Sequence, residues 1–124
     1  LACASALTII DIMEKEDFAG KAVTMAEKLH KHFDAWKEKY EVVGDVRGTG
    51  CMMGIEFVTS KETKEPATKL VGDIVQYAAH HGLVLEAAGT YSNVIRCLAP
   101  LVMTDEQLEA GCAILEEAIV ACSK

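Results

Sequence analysis

The stretch Gly44-Asp45-Val46-Arg47-Gly48-Thr49-Gly50-Cys51-Met52-Met53-Gly54-Ile55-Glu56-Phe57-Val58 decides how this chain of 124 residues folds. Its valines, isoleucine, threonine and phenylalanine favour strands, and its glycines interrupt them. The pattern predicts two strands joined near Gly48. In the second, Met53, Ile55 and Phe57 point one way while Met52, Gly54 and Glu56 point the other, the period-two alternation of a sheet covered on one face. The glycine spacing fits neither G-x-G-x-x-G nor the Walker pattern, and strand formers follow where a helix would have to begin. Turn and bulge positions are the simpler use of these glycines. Arg47 is expected to pair with Asp45 or Glu56, with anion binding as the alternative.

Upstream, apolar residues at 3, 6, 7, 10 and 13 follow helical spacing and predict a helix over 1–13 with one buried stripe. Asp17 is a candidate N-cap for a longer amphipathic helix. Phe18, Ala22, Met25, Leu29, Phe33 and Trp36 line its inner face, and Lys21, Glu27, Lys28, Lys31, Asp34, Lys37 and Glu38 its solvated one. Downstream, a polar loop over 59–65 leads to Pro66, suited to the first turn of a helix. Leu70, Val71, Ile74, Val75 and Ala78 face inward there, and Gly82 terminates it. A short strand over 83–85, a turn over 87–92 and a strand over 93–98 closed by Pro100 come next. Thr104 and Gln107 form a capping box, with Met103 and Leu108 as its hydrophobic staple. Leu108, Cys112, Leu115 and Ile119 then line the last helix. The order helix, helix, strand, strand, helix, strand, strand, helix predicts an α+β fold: a small, mostly antiparallel sheet with helices packed against it.

The size fits one domain, and 51% apolar residues suffice for a core without disulfides or a metal. No apolar run approaches the ~18 residues a membrane span needs. A formal charge of −7 with scattered lysines offers no basic stripe for nucleic acid. The cysteines (Cys3, Cys51, Cys97, Cys112 and Cys122) are odd in number and lack a C-x-x-C pair, so they are expected to be reduced, mostly buried thiols of a cytoplasmic protein. The chain opens on an uncapped, helix-favouring run, as expected of a cut through a larger protein whose missing part covers some of the apolar surface.

Arg96 most needs explanation, because Val94, Ile95, Cys97 and Leu98 surround it in sequence. A charge there must find a partner or reach water. It either snorkels from a strand end or pairs with a core carboxylate, or it presents its planar fork to a ligand carboxylate. His30 and His32 diverge on their helix, and His80 and His81 suit a helix C-terminus, so no metal site is expected. Ser5, Ser60, Ser92 and Ser123 lack a nucleophile elbow. Apolar surroundings make Cys51 and Cys97 inert.

The segment 44–57 resembles the G-x-V-R-G-x-G-x-x-x-G-I-E-F stretch of class III pyridoxal-phosphate-dependent aminotransferases. Asn93-Val94-Ile95-Arg96, followed by Pro100-Leu101, resembles their N-V-[IL]-R-x-x-P-L stretch, and Leu1-Ala2-Cys3-Ala4-Ser5-Ala6 is similar to the run entering their linking helix. The Gly89-x-Tyr91-x-Asn93 lead resembles the branch acting on 4-aminobutyrate. The resemblance implies the small C-terminal domain of fold-type I pyridoxal-phosphate transferases, with linking and long amphipathic helices over 1–38 and an α+β body over 39–124. It implies that Arg96 binds the substrate carboxylate. The cofactor lysine and the other cofactor-binding residues would precede this chain, which would hold no catalytic residue and be inactive alone. The implied partners are an omega-amino acid donor, a 2-oxo acid such as 2-oxoglutarate, the large domain and a second subunit. The alternatives are another class III activity (ornithine, acetylornithine or β-alanine transamination) and a self-contained α+β binding module.

Overall fold

The computed structural model describes every residue from Leu1 to Lys124 and contains four helices and four strands: α1 (Ala2–Lys15), α2 (Phe18–Lys39), β1 (Val43–Thr49), β2 (Met52–Phe57), α3 (Thr68–His80), β3 (Glu86–Ala88), β4 (Val94–Leu98) and α4 (Asp105–Cys122). The strands form one sheet in the order β1-β2-β4-β3, with every neighbouring pair antiparallel. The α+β expectation holds. The β1–β2 turn falls two residues after Gly48, at Gly50 and Cys51, where Gly50 takes φ +58°. Glycine enters that left-handed region without the penalty a Cβ imposes.

One face of the sheet carries Met53, Ile55, Phe57 and Ile95, all essentially buried, and the helices pack there. From α2 come Met25, Leu29, Phe33 and Trp36; from α3, Val71, Ile74 and Ala78; from α4, Leu108, Cys112, Leu115, Ala118 and Ile119. Each large aliphatic or aromatic side chain taken from water contributes about 1.5–3 kcal/mol, so this single cluster dominates stability. The predicted inner faces of α2, α3 and α4 are thus the observed ones.

Local signals fix the helix ends. The Asp17 carboxylate accepts from the Gly20 amide at 3.1 Å. The Thr104 hydroxyl accepts from the Gln107 amide at 3.3 Å, and the Gln107 side-chain oxygen accepts from the Thr104 amide at 3.0 Å, a complete capping box. α3 closes with Gly82 at φ +89°, while the Leu83 amide donates to the Ala78 carbonyl and the Gly82 amide to the Ala79 carbonyl. This is the Schellman arrangement. α2 and α4 run parallel, joined by Lys28–Asp105, His32–Glu109 and Lys39–Glu116 at a constant sequence offset of 77.

Some expectations are corrected. The short strand is not 83–85 but Glu86–Ala88, because Leu83 is spent on the helix cap and pairing with β4 begins only opposite Arg96. Pro66 precedes α3 rather than opening it; it bridges Val58, and the Ala67 amide donates to the Phe57 carbonyl. α1 buries no residue, leaving Leu7, Ile9, Ile10, Ile12 and Met13 exposed. Of the cysteines only Cys112 is buried; Cys51, Cys97 and Cys122 are half-buried and Cys3 is exposed.

Candidate functional site

No helix of this chain covers the other face of the sheet. Residues paired across an antiparallel sheet share a face, and the register places Arg47, Gly54, Arg96 and Glu86 in one row across β1, β2, β4 and β3. The alternation read in β2 puts Gly54 on this open side. Without a side chain there, a hollow of about 250 Å³ opens between the two arginines, walled by Met52, Val94 and Ala88.

The arginines differ in their partners. Arg47 donates to Asp45 at 3.1 Å and Glu56 at 2.6 Å, and these carboxylates, Glu56 foremost, push its pKa further up. Lys37 also donates to Asp45 at 2.9 Å, and together with Arg47 it holds that carboxyl below the usual range. Arg47 is thus already neutralised within a network, as its sequence context predicts. Arg96 donates to Glu86 alone, directly opposite it on the edge strand. Its side chain is 45% exposed and that of Glu86 65% exposed. Arg96 therefore neither sits in the core nor pairs with a core carboxylate; it projects from the open face with its single partner in solvent.

The approach to Arg96 is tightly held. The buried Asn93 side chain donates to the Phe57 carbonyl at 3.0 Å, and the Phe57 amide donates to the Asn93 carbonyl at 2.7 Å. Gly89 at φ +84° and Ser92 at φ +51° make the hairpin turn, and the Thr68 hydroxyl ties it to α3 by donating to the Tyr91 carbonyl at 2.5 Å. A functional side chain on so constrained a strand is presented with little rotational loss.

Other candidates do not assemble into chemistry. His30 faces Asp34 and His32 faces Glu109 on diverging directions, and the His81 ring contacts the Tyr77 carbonyl. No three His, Cys, Asp or Glu residues converge as metal ligands. Burial raises the Cys97 pKa and pushes Cys112 up to about 12, which suppresses thiolate. No lysine is buried, and carboxylate partners raise the pKa of Lys37, Lys39 and Lys69, the reverse of what a Schiff-base amine requires. Lys37, Lys39 and Lys69 therefore do not fit covalent attachment of a carbonyl cofactor. Glu86 escaped the sequence reading. Its signal was the symmetry of the hairpin: Glu86 and Arg96 stand equally far from Tyr91.

The profile of the family described as aminotransferase class-III matches residues 1–119. Over 117 residues the chain is 42% identical to 5-aminovalerate aminotransferase DavT of Pseudomonas aeruginosa, covering 94% of this chain and 28% of that protein. It is 37% identical to 4-aminobutyrate aminotransferase GabT of Escherichia coli, covering 94% and 28%. An alanine/serine racemase of Pyrococcus horikoshii is 38% identical, covering 94% and 24%. Among solved structures, an amine transaminase from an uncultivated Pseudomonas species in its PLP-bound form superposes with TM-score 0.85 at 33% identity, covering 98% of this chain and 27% of that one. The chain spans about a quarter of the length of these relatives.

Proposed function

The chain belongs to the class III aminotransferase family, and from that premise we propose that it is the small C-terminal domain of an enzyme moving an amino group from 4-aminobutyrate or a similar omega-amino acid to 2-oxoglutarate. Residues 1–38 supply its linking and long helices, and 39–124 its α+β body. The longer protein binds pyridoxal phosphate through residues outside this chain and works as a cytoplasmic homodimer. The cofactor, when bound there, supplies the electron sink for bond breaking at the carbon bearing the amine.

Arg96 binds the substrate carboxylate in this reading. The observation that carries it is a guanidinium held on a constrained strand, beside the hollow over Gly54, on the face that nothing in this chain covers. Its fork matches a carboxylate bidentately, and both donor and acceptor offer one. Fixing that end orients the amine-bearing carbon. Arg47 suits this role less, because two carboxylates hold it where Arg96 has one.

The test is formation of glutamate from 4-aminobutyrate and 2-oxoglutarate by the longer protein and by its Arg96→Ala variant. Loss of a charge-assisted contact of about 1.5–3 kcal/mol raises KM for carboxylate substrates by about 10- to 150-fold. An unchanged KM defeats the assignment of Arg96. The racemase relative motivates a second reading, racemisation of an amino acid, and chiral analysis separates the two: inversion without consumption of a 2-oxo acid favours the racemase.

A further inference from the structure

We propose, resting on the reading of Arg96 given above, that Gly54 sets which chain lengths of omega-amino acid the site accepts. Having no side chain, Gly54 leaves beside the guanidinium a hollow that takes up the surplus methylenes of acids longer than 4-aminobutyrate. The fold does not ask for glycine at this position. The hairpin requires Gly48, where a Cβ would stand 2.3 Å from the Met52 carbonyl oxygen, and Gly50, where φ is +58°. A Cβ on Gly54 would meet only the Val94 Cγ1 at 3.4 Å and the Arg47 carbonyl oxygen at 3.7 Å, both ordinary contacts, and its backbone is not in the left-handed region. Glycine inside a strand weakens that strand. What the missing side chain supplies here is space rather than conformation.

That space lies where a carboxylate substrate would use it. The register sets Gly54 next to Arg96 on the face that no helix of this chain covers. The hollow, about 250 Å³, far exceeds the ~15 Å³ that one water needs, and its walls are Met52, Val94 and Ala88, which offer water no polar side chain and suit hydrocarbon. An acid held by its carboxylate at Arg96 must bring its amine to one fixed reacting centre. A longer acid spans the same distance only by bending its extra methylenes sideways, and the hollow over Gly54 lies sideways of Arg96. Gly54 thus acts on selectivity and takes no part in bond breaking.

The experiment compares kcat/KM of the longer protein with that of its Gly54→Ala and Gly54→Val variants for 4-aminobutyrate, 5-aminovalerate and 6-aminohexanoate, with 2-oxoglutarate as acceptor. Valine, a strand former, fills the hollow, and alanine narrows it within ordinary contact distances. A methylene refused by an apolar pocket changes kcat/KM about 10-fold or more, so preference for 4-aminobutyrate over 5-aminovalerate should rise about 10-fold in Gly54→Val. Preference over 6-aminohexanoate should rise further, and Gly54→Ala should shift both the same way by less. Circular dichroism checks that each variant folds; should Gly54→Val fail to, the direction of the Gly54→Ala shift decides. Preferences unchanged from the parent's, or a parent that converts 4-aminobutyrate but neither longer acid, would overturn the proposal. Arg96→Ala, measured alongside, tells the two ideas apart. If it weakens all three acids while the Gly54 variants leave the preferences unchanged, only the role of the hollow is lost. If it weakens none, the Arg96 reading falls and takes this one with it.

Discussion

Gly48→Ala is expected to destabilise the 124-residue chain because the β1–β2 hairpin leaves no room for a methyl group. A Cβ at Gly48 would stand 2.3 Å from the Met52 carbonyl oxygen and 2.8 Å from the Met53 Cα, and also 2.6 Å from the Met53 sulfur. The sulfur can swing aside, but the backbone oxygen and Cα move only if β2 moves, and β2 carries Met53, Ile55 and Phe57 into the core. Overpacking of this kind costs about 1–3 kcal/mol. Restriction of the unfolded chain by alanine offsets about 0.4–1 kcal/mol of that. The net loss is about 1–2 kcal/mol, which lowers a urea midpoint by roughly 0.5–1 M at an m-value of about 2 kcal/mol/M. Gly72→Ala is the control: nothing lies within 4 Å of its Cβ in mid-α3, so it should gain about 0.5–1 kcal/mol. Both variants are read by circular dichroism in urea. A Gly48→Ala midpoint at or above the parent's would refute the close approach of the two strands.

Two more outcomes test the packing of α4. The Glu116 carboxyl is held below its ordinary 4.5, first by Lys39 and then by Tyr40, so its folded pKa lies under its unfolded one. It contributes stability above about pH 4.5 that is lost as the pH falls through the folded value, and Glu116→Gln should flatten the urea-midpoint profile in that acid window. Parallel profiles for the two proteins would count against that contribution. Cys112, buried and with its pKa pushed up to about 12, should resist a disulfide reagent at pH 8 until the chain unfolds, whereas exposed Cys3 reacts at once. Mass mapping of the labelled thiols decides this, and early labelling of Cys112 would contradict the packing of α4.

The parts of the fold set by local chemistry were legible. The alternation through Met53, Ile55 and Phe57 named the buried face of β2, and Thr104 with Gln107 named the start of α4. The parts set by pairing were not. The run 83–85 is as apolar as a strand, but whether it pairs depends on where the β3–β4 turn falls, and that turn is fixed by Asn93 reaching Phe57, 36 residues away. Arg96 stood out because its apolar neighbours made a charge conspicuous, whereas Glu86 looked like an ordinary surface acid until the register set it opposite. The stripe expected on α1 failed for a related reason. Periodicity marks a face for burial without saying what covers it, and within this chain nothing does.

The three ion pairs between α2 and α4 stand at positions 28, 32 and 39 on one helix and 105, 109 and 116 on the other. Their intervals of four and seven are unequal, and this gives the ladder the logic of a key cut. Sliding α4 by four residues matches Lys28 to Glu109 and sets His32 against Ala113; sliding it by seven matches His32 to Glu116 and leaves Lys28 facing Cys112. No shift other than zero satisfies all three teeth. Exposed pairs of this kind add little to the depth of the native well. They discriminate instead among neighbouring wells, so that two helices whose shared apolar core is slippery come to rest at one alignment.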